Sequence, residues 1–182
     1  MGSMIYALSM TEKELIQACL QNERLAQKEL YDRYNKAMYS SAYRITNDFE
    51  LANDVLQEAF IKIFKNLAKF RQESTLGAWI KTIVVRTALS KIKKQKTFDE
   101  LEEHHTKDWI DWGDFLNAEY LERAIQALPE GYRAVFLLIE VEGYSHKEVA
   151  EMLKISTGSS KSQLFYAKKR LRAMLKEIVD LG

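Results

Sequence analysis

One proline, seven glycines and a single cysteine in 182 residues leave this chain little material for tight reversals or cross-links. So few turn formers exclude a many-stranded β architecture, which needs a reversal every few residues. Cys19 has no partner for an internal disulfide. It shares a helical face with Leu15 and Ala18 and reads as a buried small hydrophobe rather than a reactive thiol. No apolar run is long enough to span a bilayer and no signal peptide is recognisable, so direct membrane insertion is not expected and the chain reads as a cytoplasmic protein. Met-Gly-Ser ahead of Met4 reads as an expression-vector remnant.

A strong charge of either sign is also lacking: the formal net charge is +1. The balance is a sum of blocks. Residues 81–96 hold six Lys/Arg and no acid, residues 98–120 hold eight Asp/Glu and one Lys, and residues 161–176 hold six Lys/Arg and no acid. Two basic blocks separated by an acidic one suit a protein that meets an anionic partner with chosen faces only.

Apolar residues recur at a spacing near 3.6, which predicts an all-α fold. Residues 11–47 read as one or two helices, opened by a Thr11/Glu14 capping box and carrying the stripe Leu30, Tyr31, Tyr34, Met38 and Ala42. After the break at Asn47-Asp48, a helix over about 49–67 places Ala52, Val55, Leu56, Ala59, Phe60, Ile63 and Leu67 on one face. A polar connection, 68–76, leads to a helix over about 77–95. Segment 98–118 has no sustained periodicity and reads as a flexible acidic linker between two small helical domains, 11–97 and 119–182. In the second, Pro129 opens a helix over 130–141 and Gly143 ends it.

Residues 143–176 read as a helix-turn-helix. A short helix with Val149, Ala150 and Leu153 on its apolar face meets a turn of small residues, and a basic helix follows. Ser156 and Thr157 are N-cap types, and Gly158-Ser159-Ser160 would let a backbone approach phosphate. Lys161, Ser162, Phe165 and Tyr166 fall in the first turns, where base edges are reached. Lys168, Lys169, Arg170 and Arg172 suit backbone phosphates. The plain alternative is an amphipathic helix pair with incidental charge.

Two further surfaces stand out. Asp54, Gln57, Glu58, Ile61 and Phe64 lie at i, i+3, i+4, i+7 and i+10, opposite the core stripe of their helix, a pattern suited to docking another protein or to a solvated face with two extra hydrophobes. Phe70, Arg71, Ser74, Thr75 and Trp79, followed by Lys81, Arg86, Lys91 and further lysines, combine aromatic rings with a cationic track. Single-stranded nucleic acid requires both, stacking being worth about 1–3 kcal/mol per base. The alternative makes Trp79 core and the lysines a solvated face. Nothing reads as catalytic, and no cofactor is expected: His104 and His105 are adjacent on an acidic segment without a Cys cluster, which is poor metal-ligand spacing, and residues 158–161 lack the glycine spacing and preceding strand of a phosphate-binding loop.

In this order the blocks resemble the bacterial RNA polymerase sigma factors of the sigma-70 family, extracytoplasmic-function type. The sequence DVLQEAFIKIF at 54–64 is similar to the family's polymerase-docking helix, FRQESTLGAWI at 70–80 to its −10 recognition and melting segment, and ALPEGYRAVFL at 127–137, with 143–145 and 160–164, to its −35 domain. The resemblance spans about 20–176 and implies a transcription initiation factor that binds core RNA polymerase, directs it to −35/−10 promoters and helps melt them. It implies that Asp54, Gln57, Glu58, Ile61 and Phe64 dock on the β′ clamp helices. Phe70, Arg71, Ser74, Thr75, Trp79, Arg86 and Lys91 would meet the −10 element, where a flipped base is captured. Ser160, Lys161, Ser162, Phe165, Tyr166, Lys168 and Lys169 would meet the −35 duplex, next to the polymerase β flap. It further implies an anti-sigma factor, often membrane-bound, as partner. Arg86 and Ser90 depart from the family, which often has Asn and Asp there. The rival readings are a stand-alone helix-turn-helix regulator that binds duplex DNA without polymerase and a helical adaptor whose basic faces are incidental; the 54–64 strip favours the initiation factor, since a regulator has no need of it.

Overall fold

A computed structural model of the chain describes residues 10–99 and 118–180. The described elements are helical, and the chain forms two compact units, Met1–Lys91 and Ile92–Gly182. Most of the expected linker, and with it His104 and His105, lies outside the described residues.

The first unit begins with α1 (Glu12–Leu20), closed at its start by a reciprocal box. The Thr11 hydroxyl accepts from the Glu14 N–H at 3.3 Å, and the Glu14 carboxylate accepts from the Thr11 N–H at 2.9 Å. The Thr11 hydroxyl also donates to the Glu14 carboxylate at 2.7 Å, and this bond, with the one from the Thr11 N–H, holds the Glu14 carboxyl below its ordinary range. After α2 (Arg24–Thr46) the chain turns at Asn47, which takes the left-handed conformation (φ 54°) that an Asn tolerates. Asp48 then caps α3 (Phe49–Asn66) through the Leu51 N–H at 2.8 Å. Two breaker residues thus perform the stop and the start in two positions.

The α3 stripe Ala52, Val55, Leu56, Ala59, Phe60, Ile63 and Leu67 is buried throughout, with α3 packed along α2 and its Leu30, Met38, Ala42 and Ile45. Tyr31, expected in the α2 stripe, is instead partly exposed at the edge and meets Phe60 edge-on at 4.7 Å. A 3-10 turn (Leu67–Lys69) leads through 70–75 to α4 (Leu76–Asp99), which buries Leu76, Ile80, Val84, Val85 and Ala88. A Cβ at Gly77 would stand 3.2 Å from the Tyr34 ring, so the glycine lets α4 approach α2 closely. Cys19 is buried as expected, and burial pushes its thiol up to about 11.

The second unit contains α5 (Ala118–Gln126), α6 (Glu130–Phe136) prolonged by a π turn (Leu137–Val141), α7 (His146–Leu153) and α8 (Thr157–Asp180). Gly143 (φ 79°) supplies the left-handed step that ends the α6 run, as its type suggests. Tyr120, Ala124, Leu128, Val135, Leu138, Val149, Ala167 and Leu171 form the core, with α6 and α7 both packed on α8. Arg133 is buried among them. Its Nη1 donates to the Gln126 and Leu128 carbonyls at 3.0 and 3.2 Å, satisfying the end of α5, and burial lowers its pKa from the ordinary value.

Arg133→Ala strips a buried carbonyl, that of Leu128, and a part-buried one, that of Gln126, of their donor and is expected to cost about 2–4 kcal/mol. Chemical denaturation followed by circular dichroism measures it; a loss below about 0.5 kcal/mol would mean that water replaces the guanidinium.

Candidate protein-docking and nucleic-acid interfaces

Because α3 turns its stripe inward, its opposite face carries the expected strip. Asp54 and Gln57 are exposed, Ile61 is 55% exposed, and Glu58 and Phe64 are half-buried, Phe64 leaning on Phe60 at 6.1 Å. Ile61 follows Glu58 by one helical turn and is followed one turn later by Phe64, so the strip sets two large apolar side chains beside its carboxylates, an arrangement that a purely solvated face does not require. Both carboxylates, though in contact with solvent, also meet cations. Lys62 pairs with Glu58 at 2.6 Å and donates to the Thr87 hydroxyl of α4 at 3.3 Å. Lys91, also on α4, lies 3.6 Å from Asp54 and 3.4 Å from Glu58. The hydrogen bond from Lys62 holds the Glu58 carboxyl below its ordinary range against the opposing cost of burial, and Lys91 adds a lesser pull in the same direction. The structure therefore joins residues that sequence reasoning had assigned to two different surfaces.

In the 70–79 segment Phe70 and Trp79 are half-buried against each other, ring centroids 5.3 Å apart. Trp79 is neither wholly core nor a free platform. Thr75 caps α4, its hydroxyl accepting from the Ala78 N–H at 3.2 Å, and Gln72 (φ 58°) takes a left-handed conformation in the loop. Arg71, Ser74, Thr75 and Arg86 are exposed; Arg71 stands 3.8 Å from Glu73 with both side chains in solvent, an interaction of little energy. Gln72 to Thr75 line an open depression of about 440 Å³ with Glu12, Lys13 and Ile16 of α1. Sequence reasoning missed Glu12: it accepts from the Leu76 N–H at 3.3 Å and from the Tyr34 hydroxyl at 3.5 Å, a tie across 64 positions that no local pattern announces.

The helix-turn-helix is built by α7 and α8. Ser145 and Glu148 form a second capping box at the start of α7, and those bonds hold the Glu148 carboxyl below its ordinary range. The turn pivots on Lys154 (φ 56°), and Ser156, one of the two expected N-cap residues, caps α8 by accepting from the Ser159 N–H at 2.9 Å. Gly158 sits inside α8, where a Cβ would meet only the Ser156 hydroxyl at 3.6 Å. Ser160 corrects the sequence assignment. It is 0% exposed and lies 2.9 Å from His146 Nδ1, so its hydroxyl fastens α8 to α7 and cannot reach DNA.

Lys161, Ser162 and Lys169 are exposed on the outer face of α8, with Phe165 at 62% and Tyr166 at 48% exposure. Lys168 is partly drawn aside by Glu140 at 2.7 Å. Phe165 meets Tyr166 edge-on at 5.5 Å, Tyr166 stacks on Tyr132 of α6 at 6.2 Å, and Arg170 stands 5.7 Å over the Tyr132 ring. Tyr132 was missed because it lies on another helix; its partners meet only in the fold. Among the described residues no helix is long and apolar enough to cross a membrane, and no group of three His, Cys, Asp or Glu side chains could hold a metal ion.

The family model for sigma-70 region 2 matches residues 30–98 and that for sigma-70 region 4 matches residues 118–171, together about two thirds of the chain. The chain is 26% identical over 166 residues to the ECF RNA polymerase sigma factor SigM of Mycobacterium tuberculosis, covering 91% of this chain and 85% of that one. It is 26% identical over 178 residues to the ECF RNA polymerase sigma-E factor of Escherichia coli, covering 89% and 93%. Its fold is similar to that of the sigma factor RpoE solved in complex with the anti-sigma factor NepR from Bartonella quintana, with a TM-score of 0.57 and 22% identity over 82% of this chain and 96% of that one. The chain belongs to the sigma-70 family, as an RNA polymerase sigma factor of the extracytoplasmic-function type: a polymerase-binding transcription initiation factor and not a stand-alone regulator.

Proposed function

We propose that the chain holds core RNA polymerase through the outer face of α3 and reads a promoter at two points, the −10 element with 70–79 and the start of α4, and the −35 duplex with α8. The observation that carries this reading is the pairing of carboxylates with exposed Ile61 and half-buried Phe64 on a helix face that the core does not use. Asp54, Gln57, Glu58, Ile61 and Phe64 form the docking set, against the β′ clamp helices. Phe70, Arg71, Ser74, Thr75, Trp79 and Arg86 face the melted −10 strand. Lys161, Ser162, Phe165, Tyr166 and Lys169 face the −35 groove beside the β flap, with Lys168 adding charge. The cationic outer face of α8 supports duplex contact, since phosphates favour it whatever the sequence. Residues 98–118 serve as the connection between domains 11–97 and 119–182. The chain acts in the cytoplasm and has no catalytic group of its own. An anti-sigma factor is a fitting partner, because RpoE of Bartonella quintana was solved with one and an occupied α3 face would deny polymerase its site.

Glu58→Arg and Ile61→Glu, both outside the core, are expected to abolish co-purification with core polymerase while leaving helicity and melting unchanged; retained binding overturns the docking assignment. Lys161→Ala is expected to weaken −35 duplex binding and to flatten the slope of log affinity against log salt by about 1. An unaltered slope removes Lys161 from the phosphate contacts. Trp79→Ala is expected to reduce open-complex formation more than closed-complex binding, and equal effects on both steps would make its packing on Phe70 its whole role.

A further inference from the structure

Lys91 does not stand on a free DNA face. It is only 24% exposed, and its ammonium lies between the two carboxylates of the α3 strip, 3.6 Å from Asp54 and 3.4 Å from Glu58. Asp54 and Glu58 are one helical turn apart, a spacing at which like charges repel and each side chain gains by swinging away. Lys62 relieves Glu58 alone, from the same helix, and is itself tied to Thr87. Lys91 is the cation that touches both carboxylates, and it comes from α4, whose backbone is fixed by the burial of Val84, Val85 and Ala88. A charge held by a rigid neighbouring helix gathers two flexible acids into one place at small entropic cost.

We infer that Lys91 is a positioning residue of the polymerase-docking face, holding Asp54 and Glu58 in a shared arrangement, rather than a phosphate contact of the −10 segment. The inference rests on the docking role proposed for the α3 strip. It also gives that strip a physical link to the DNA-facing helix: α4 carries Arg86 and Ser90 toward solvent and Lys91, the residue after Ser90, back toward α3. Among the described residues, the ion pairs of this network join Asp54, Glu58 and Lys62 on α3 with Lys91 on α4.

The test uses the full chain with Lys91→Gln and Lys91→Arg. Lys91→Gln is expected to weaken binding to core polymerase about 3- to 10-fold, and Lys91→Arg to restore most of it. Binding of the free chain to single-stranded −10 DNA is expected to change less than twofold, with the same salt slope. Carboxyl NMR of the free chain is expected to show Glu58 titrating at higher pH in Lys91→Gln than in the wild type, a readout that a general loss of packing would not produce. The inference is overturned if Lys91→Gln leaves polymerase affinity unchanged, or if it flattens the salt slope of DNA binding by about 1, which is the mark of a lost phosphate contact. Glu58→Arg separates this from the reading beneath it: if that variant still binds polymerase, the docking role of the strip fails, whereas its loss beside an unaffected Lys91→Gln removes Lys91 alone.

Discussion

One-sided burial of α3 is the constraint on which the first unit depends. Its apolar positions fall within a single arc, so packing against α2 allows one rotation about the helix axis. That rotation alone decides that Asp54, Gln57 and Ile61 face outward and that Lys62 reaches Thr87. The same packing gives α4 a wall to lie against, with Gly77 permitting the approach to Tyr34. The docking surface proposed for α3 needs no preformed pocket. It is the residue of a packing solution, and its polar groups are held by neighbours that the core has already placed.

The second unit follows the same economy on α8. Ser160, Ala167 and Leu171 point inward, while Lys161, Ser162, Phe165 and Lys169 share the outer face. The basic charge is therefore one-sided, although the whole chain is nearly neutral. In the proposed reading the contribution of α8 grows when polymerase holds the chain, because a second contact on an already tethered molecule is intramolecular. The aromatic relay from Phe165 through Tyr166 to Tyr132 limits the freedom of the exposed rings, so fewer rotamers are lost on contact.

Much of this was legible in the residues because the signals are local. The α3 stripe, the Thr11/Glu14 box, the Asn47-Asp48 break and the Gly143 stop each depend on side chains within a few positions, and the structure agrees with all four. Helix existence was easier to read than helix ends: α4 runs to Asp99, beyond the expected end near 95, since Lys-rich sequence continues a helix without a clear stop. The start of α8 was legible in Ser156, but the left-handed step before it was not, because Lys154 is a residue type that rarely takes that conformation. Tertiary pairings were out of reach. That Ser160 would be sealed beneath His146, that Glu12 would cap a helix 64 residues on and that Lys91 would answer the carboxylates of α3 all depend on how helices meet. Sequence spacing gave Lys91 to a basic track; geometry gives it to an ion-pair network.

The central claim is that polymerase docking and two-point promoter reading reside in one small helical chain. Transcription by purified core RNA polymerase on a randomised promoter library, with and without the chain, tests it most directly. The account predicts defined start sites only when the chain is present, each preceded by two sequence elements near −10 and −35 at a nearly constant spacing. A chain that selects duplex sites by itself while adding no start sites to core polymerase would contradict it.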